Sequence, residues 1–186
     1  MPDPQSTIAG LVRARRTIHN FKPGAPHLHV MEEALALACW APNHHRTEPW
    51  RFVLLGPHTA QQVAALNAEL VRLKSGDDAA ALKFRRWLAM PGWLAVTSQR
   101  NEDTQREKED YAATCCVLQN LALLLWDAGI GMKWTTGKVT RDPRFMTLIG
   151  ADPAHESCVG LVWYGYPAEV PEQTRRPLGD FLRLLP

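Results

Sequence analysis

Apolar positions along this chain recur with a helical period in some stretches and as short continuous runs in others, and the two alternate. Ile8, Leu11 and Val12 share one helical face behind Ser6, a good N-cap, and this first helix runs into the basic group Arg13, Arg15 and Arg16. Pro23 and Pro26 break the chain. A second helix is expected from Leu28 to Cys39, striped by Met31, Leu35 and Ala38 and ended by Pro42. Beyond the polar loop NHHRTE and Pro49, residues Trp50 to Leu55 have the length and composition of a strand. An amphipathic helix follows from about Thr59 to Lys74 through Val63, Leu66, Leu70 and Leu73, with another after the Gly76-Asp77-Asp78 turn.

Pro91-Gly92 stops that helix, and Trp93 to Ser98 reads as a strand. The charged run Asn101 to Asp110 is expected to be a solvated helix start or loop. Tyr111 to Trp126 is apolar nearly all round, which places it inside a protein or a membrane. Spanning a bilayer takes about 20 residues, and this stretch is shorter and has an acidic lead-in, so it is expected to be a central core helix. Met132 to Thr136 and Cys158 to Tyr164 read as strands around a short helix near Pro143 to Ile149. The tail is irregular and ends in the apolar FLRLL, which has no obvious partner in its own chain and is expected to dock on another subunit. Alternating helices and strands predict an α+β (α/β layered) sheet with helices on its faces.

Composition narrows the possibilities. A chain of 186 residues, 46% apolar, with seven Trp and a net charge of +2, is expected to be one domain spanning 1–186, and disorder is excluded. The near-neutral balance removes the main argument for nucleic-acid or acidic-membrane binding. Cys39, Cys115, Cys116 and Cys158 form no CxxC pair, and the adjacent Cys115 and Cys116 read as buried thiols of a reducing compartment. With no signal core at the start, a cytoplasmic protein is expected.

Three segments could carry chemistry. RARRT, residues 13–17, gathers cations and a hydroxyl that could hold a phosphate, or could simply complement a helix end. APNHHRTEPW, residues 41–50, matches no HExxH-type pattern, and adjacent histidines do not easily face one ion, so no metal is expected; it is either a surface turn or a pocket wall. GIGMKWTTGKVT, residues 129–140, has neither GxGxxG nor a P-loop, but ends a strand with Trp134, two hydroxyls and Gly137. No GxSxG elbow or activated thiol is evident.

Taken together, RRTIHNF (Arg15 to Phe21), APNHHRTEPWRFVLL, the Gln119-to-Gly129 helix end with Trp134-Thr135-Thr136-Gly137, and TRRPLGDFL (Thr174 to Leu182) resemble the FMN-dependent nitroreductase family, most closely its short single-domain NAD(P)H branch. The resemblance implies a mixed sheet flanked by helices, a core central helix, and a homodimer that exchanges C-terminal arms and binds FMN at its interface. By position, Arg15, Arg16 and Thr17 would hold the phosphate and ribityl chain, with Arg175 a second phosphate cation. Trp40, His44 and Arg46 would come from the other subunit, and Trp134, Thr135 and Thr136 would lie along the isoalloxazine. No catalytic side chain is implied: NADH or NADPH gives hydride to flavin N5, and an electron-poor acceptor such as a nitroaromatic or quinone takes it. The alternatives are a flavin-sequestering protein or an oxygen-using flavin relative. LLWDAG, residues 124–129, matches a stretch associated with nicotinamide binding. His19 in place of a third cation, Thr17 for Ser, Glu48 for Gln, and Trp40 where some relatives have Arg are departures that bear on charge matching and substrate preference.

Overall fold

The computed structural model describes residues 7–186. Its sheet is organised around two long neighbours, β2 (Gly92–Gln99) and β4 (Glu156–Gly165). Strand β1 (Trp50–Leu54) flanks β2 and β3 (Gly131–Thr135) flanks β4, giving the order β1-β2-β4-β3 with every pair antiparallel. The resemblance implies a mixed sheet; these four strands are antiparallel throughout, and the parallel pairing is an isolated bridge from Thr17 to Met132 at the β3 edge. Central position explains why β2 is a continuous apolar run: it is buried along its length except at Gln99.

Alternation across the pleat divides the core in two. Leu94, Val96 and Val162 face helices α2 (Leu28–Ala38) and α4 (Thr104–Asp127), meeting Met31, Ala38, Val117 and Leu121. Trp93, Ala95, Leu161 and Trp163 face α3 (Pro57–Leu88) and α5 (Pro143–Leu148), meeting Val63, Trp87 and Phe145. The indoles of Trp87, Trp93 and Trp163 pack edge-to-face there, with centroids 4.8–5.7 Å apart. The expected turn at Gly76 is a break within α3, at φ 82. The expected N-cap Ser6 lies outside the described residues; Thr7 caps α1 (Ile8–Ala14), its hydroxyl accepting from Gly10 N at 3.1 Å.

The charged run proves to be a helix start: Asp103 caps α4 by accepting from Gln105 N and Arg106 N. The apolar all-round stretch is only partly covered. Ala113, Val117, Leu121 and Leu125 are buried, whereas Tyr111 is exposed. Beside it, Leu123 and Leu124 of α4 line a groove of about 550 Å³ with Ile8, Leu11, Leu37 and Trp40. Ile8 is 80% exposed and Trp40 87%. The tail is exposed throughout, including Phe181, Leu182, Leu184 and Leu185. Among the described residues no helix is long and apolar enough to cross a membrane.

One local feature positions everything that follows. After α1 the chain runs along β3, with Ile18 N donating to Met132 O at 3.1 Å, and then meets the segment beyond β4 through Lys22 N to Tyr166 O (2.8 Å) and Ala168 N to Asn20 O (3.0 Å). Ile18 is fully buried because Gly131 has no side chain: a Cβ there would stand 2.3 Å from Ile18 Cγ1 and 3.1 Å from Pro167 Cγ. Gly131→Ala is therefore expected to destabilise by about 1–3 kcal/mol, the usual range for overpacking. A urea midpoint equal to that of the parent would mean that the edge segment shifts without strain.

Candidate functional site

Helix α1 ends at Ala14, and Arg15 is its C-cap, donating its backbone N–H to Leu11 O. The next guanidinium folds back: Arg16 Nη1 donates to Arg13 O (2.5 Å) and Arg15 O (3.0 Å), while Arg16 Nε reaches Pro171 O of the tail (3.1 Å). Arg16 thus satisfies helix-end carbonyls and ties the tail to α1. Arg15 is different. Burial holds its guanidinium below the usual arginine range, and the charges of Arg175 and Arg16 push it the same way. Among the described residues no carboxylate pairs with it. Arg15, Arg16 and Arg175, separated by up to 160 residues of sequence, therefore form one uncompensated positive group.

A second positive group lies further along the same segment, in a cavity of about 300 Å³ lined by His19, Asn20, Lys83, Arg86, Lys133 and Trp163, among others. Lys133 Nζ sits 3.2 Å from His19 Nδ1 and 5.3 Å from the centroid of the Trp163 ring. Burial, then the charge of Lys83, pulls its ammonium below the usual lysine range. Trp163 is 5% exposed, and its indole N–H is buried with no partner among the described residues. Asn20 is already engaged, its amide donating to Glu169 Oε1 at 2.6 Å. What remains in this cavity is a surplus of donors and positive charge, which an electron-rich or anionic ligand would match.

At the end of β3, the Trp134 indole donates to Val159 O at 3.1 Å. Val159 is the residue skipped by the bulge between Val96 and Thr97, and Gly160 makes room for the ring, since a Cβ there would meet Trp134 Nε1 at 2.1 Å. Thr135 is half-buried and Thr136 exposed. Neither hydroxyl makes a hydrogen bond among the described residues.

The loop carrying His44 and Arg46 stands apart from both positive groups; among the described residues no hydrogen bond joins it to Arg15, Arg175 or Trp134. Trp40, Arg46 and Glu48 line a separate pocket of about 340 Å³ with Asn43 and Trp50. His45, Arg46 and Glu48 all have left-handed backbone (φ 62, 53 and 45), a conformation costing of order 1–3 kcal/mol per non-glycine residue. Internal bonds hold it: Glu48 N donates to Asn43 Oδ1 (2.7 Å), and the Thr47 hydroxyl donates to the buried Asp110 carboxylate of α4.

Sequence reasoning selected Arg15, Arg16 and Arg175, which the fold brings together, and Trp134 to Thr136, which it places at a strand end. It missed Lys83, Arg86, Lys133 and Trp163. A Lys in the middle of an apolar strand, GMKWT, was the one legible signal. Of the two thiols expected to be buried, Cys115 is half-buried but Cys116 is exposed, because adjacent positions on α4 face different sides; burial raises Cys39 and Cys115 and pushes Cys158 up to about 11.

The sheet edge of this α+β protein gathers unpaired donors and cations from distant segments, an arrangement that can accommodate an anionic ligand. The Nitroreductase family profile matches residues 12–166, and this chain belongs to that family. It is 34% identical over 180 residues to "Putative NAD(P)H nitroreductase YfhC" of Bacillus subtilis, covering 94% of this chain and 92% of that protein. Its structure superposes on the nitroreductase-like family protein from Bacillus cereus with a TM-score of 0.86 at 31% identity, covering 100% and 99% of the two chains. A nitroreductase with bound FMN from Desulfitobacterium hafniense shares the fold with a TM-score of 0.73 at 15% identity, over 96% and 97%.

The raised thiols fix a sign for alkaline stability. Cys158 keeps its proton in the folded protein up to about pH 11, whereas in the unfolded chain it ionises near 9. Its contribution is thus complete below pH 9 and lost as pH rises towards 11. Because the side chain is not wholly shut off from water, a loss of about 1–2 kcal/mol is expected. Urea unfolding of the parent and of Cys158→Ala across this range measures it; the variant should show the shallower decline.

Proposed function

We propose that this chain is a single FMN-binding domain, acting as a homodimer that passes reducing equivalents from NADH or NADPH to an electron-poor acceptor such as a nitroaromatic or quinone. The observation that carries this reading is the edge segment 15–21, which has uncompensated cations at one end and a donor-rich, acid-free cavity at the other. FMN has complementary chemistry: a dianionic phosphate, a polar ribityl chain, and a flat ring with a polar, electron-rich edge. Arg15 and Arg175 would hold the phosphate, Arg16 would fix the tail beside it, and Thr17 would meet the ribityl chain. His19, Lys133 and the orphan indole N–H of Trp163 would face the polar edge of the ring, with Lys83 and Arg86 adding positive charge. Trp134, Thr135 and Thr136 would border its other side.

When bound, FMN supplies the hydride-accepting centre. The protein's share is binding, orientation and electrostatics. Half-buried cations favour negative charge on a bound ring, so Lys133 supplies beside His19 the positive charge that the histidine itself lacks when neutral. No nucleophile is required, consistent with thiols held in the neutral form. Protons come from water.

The second subunit enters through exposed apolar surface. The groove between α1, α2 and α4 and the Phe181–Leu185 tail are uncovered apolar faces among the described residues, and Trp40 sits where that groove borders the His44 loop. Pairing these faces across a two-fold axis would bring Trp40, His44 and Arg46 towards the partner's ring. Four unpaired thiols among the described residues accord with a cytoplasmic setting.

Arg15→Ala should weaken FMN binding by about 1.5–3 kcal/mol, roughly 10- to 150-fold, measured by quenching of flavin fluorescence. Unchanged affinity would remove the phosphate assignment. Anaerobic NADH or NADPH should bleach the flavin absorbance within seconds; a flavin that stays oxidised would favour sequestration over turnover. Truncation after Pro177 should loosen the dimer and FMN retention together, as read by sedimentation and flavin content. A truncated protein that stays dimeric and fully loaded would dissociate the tail from both roles.

A further inference from the structure

We propose that His44, His45 and Glu109 form a divalent transition-metal site, of the class zinc occupies, clamping the 41–50 loop onto α4. His44 also belongs to the loop that the flavin reading brings towards the partner's ring, but the metal site is built from residues of one chain and does not depend on that reading. One ligand atom from each of the three residues lies within 4.8 Å of the other two. Two imidazoles and a carboxylate suit zinc, whose protein bonds of about 2.0–2.2 Å place tetrahedral ligands roughly 3.3–3.6 Å apart. Rotation of the two exposed histidine rings covers the remaining distance, and water completes the coordination.

Side chains of neighbouring histidines ordinarily diverge, which opposes a shared ion. The backbone removes that objection. His45 has φ 62, and this left-handed turn brings its ring to 3.8 Å from that of His44, centroid to centroid. Neither imidazole makes a hydrogen bond to another residue among those described. Glu109 is supplied by a different element, and its approach is fixed independently of any metal. The hydroxyl of Thr47 donates to Asp110, so the loop is tied to α4 at the very next residue. Gln105 Nε2 donates to Glu109 Oε1 at 3.1 Å, orienting the carboxylate and leaving its other oxygen available. The left-handed backbone at His45 sets its ring beside that of His44, while the bonds from Glu48 N to Asn43 and from Thr47 to Asp110 hold the rest of the loop.

The test is zinc titration of the full-length protein, with and without FMN, against a fluorescent chelator. One zinc per chain is expected, together with a rise in melting temperature. Glu109→Gln and His45→Asn should each weaken binding at least tenfold; Asn keeps the left-handed backbone while removing the imidazole. The stacked pair His27 and His29, centroids 5.7 Å apart at the start of α2, is the control for casual histidine binding, and His27→Ala/His29→Ala should bind zinc as the parent does. Circular dichroism checks that each variant is folded. Absence of stoichiometric binding, or equal affinity in folded Glu109→Gln and His45→Asn, overturns the proposal, as does loss of binding in the His27/His29 variant. Since binding is read on FMN-free protein as well, failure here and failure of the flavin reading are distinguishable.

Discussion

The contact on which the functional edge depends is apolar: Ile18 lodged in the space that Gly131 leaves beside β3. It holds the segment after α1 in register with the sheet, so its polar side chains face the β3 edge at fixed places. Arg15 then meets Arg175 and Arg16, and His19 meets Lys133. Neither group contains an acid that would neutralise it. Folding alone gives no reward for such arrangements, because partly burying like charges lowers stability. Hydrophobic packing of the edge and the core must offset this cost until a ligand does, a pattern expected of a binding site and not of a structural one.

Much of the fold was legible because its elements carry strong periods. The core face of α4, the break at Gly76 and the buried run of β2 all follow from the spacing of apolar residues and turn-formers. Boundaries moved where capping decided them: Asp103 begins α4 well before its apolar stretch. The candidate site divided differently. Residues on the motif-bearing segments were identified, whereas Lys83 and Arg86 were hidden in an amphipathic helix whose charged positions look like any solvated face. Only the packing of α3 across β3 and β4 places them beside Lys133. The left-handed residues of the 41–50 loop were invisible for another reason: none is Gly, and only Asn43 and Thr47, engaged with Glu48 and Asp110, make the conformation tenable.

Uncovered apolar surface links the loop to the sheet edge. A helix as apolar as α4 should be enclosed, yet Leu123, Leu124 and Tyr111 border open space, and Ile8 and Leu37 extend that surface. At about 25 cal/mol per Å² of apolar area, leaving such a groove wet forgoes several kcal/mol that a second copy would recover. In the proposed dimer the same association that covers α4 delivers the loop to the other chain's ring. Stability and site assembly would then be one event.

The departures at His19 and Glu48 acquire a physical meaning on this footing. Chemistry carried by a bound cofactor is tuned by the field around it, so substitutions at the rim alter rate and preference without removing a reacting group. His19 is not an isolated weakening of positive charge, because Lys133 lies 3.2 Å away and its own charge is only half-solvated. Glu48 shares its pocket with Arg46 and has a left-handed backbone that points it away from the regular strand alternation beginning at Trp50. In the proposed function, Glu48 and Arg46 would together set the charge that an acceptor meets on approaching past the loop. On that reading the charge pattern would separate two tasks: cations on the sheet edge would hold the electron-rich group that stays, and the opposed charges of the loop would face those that come and go.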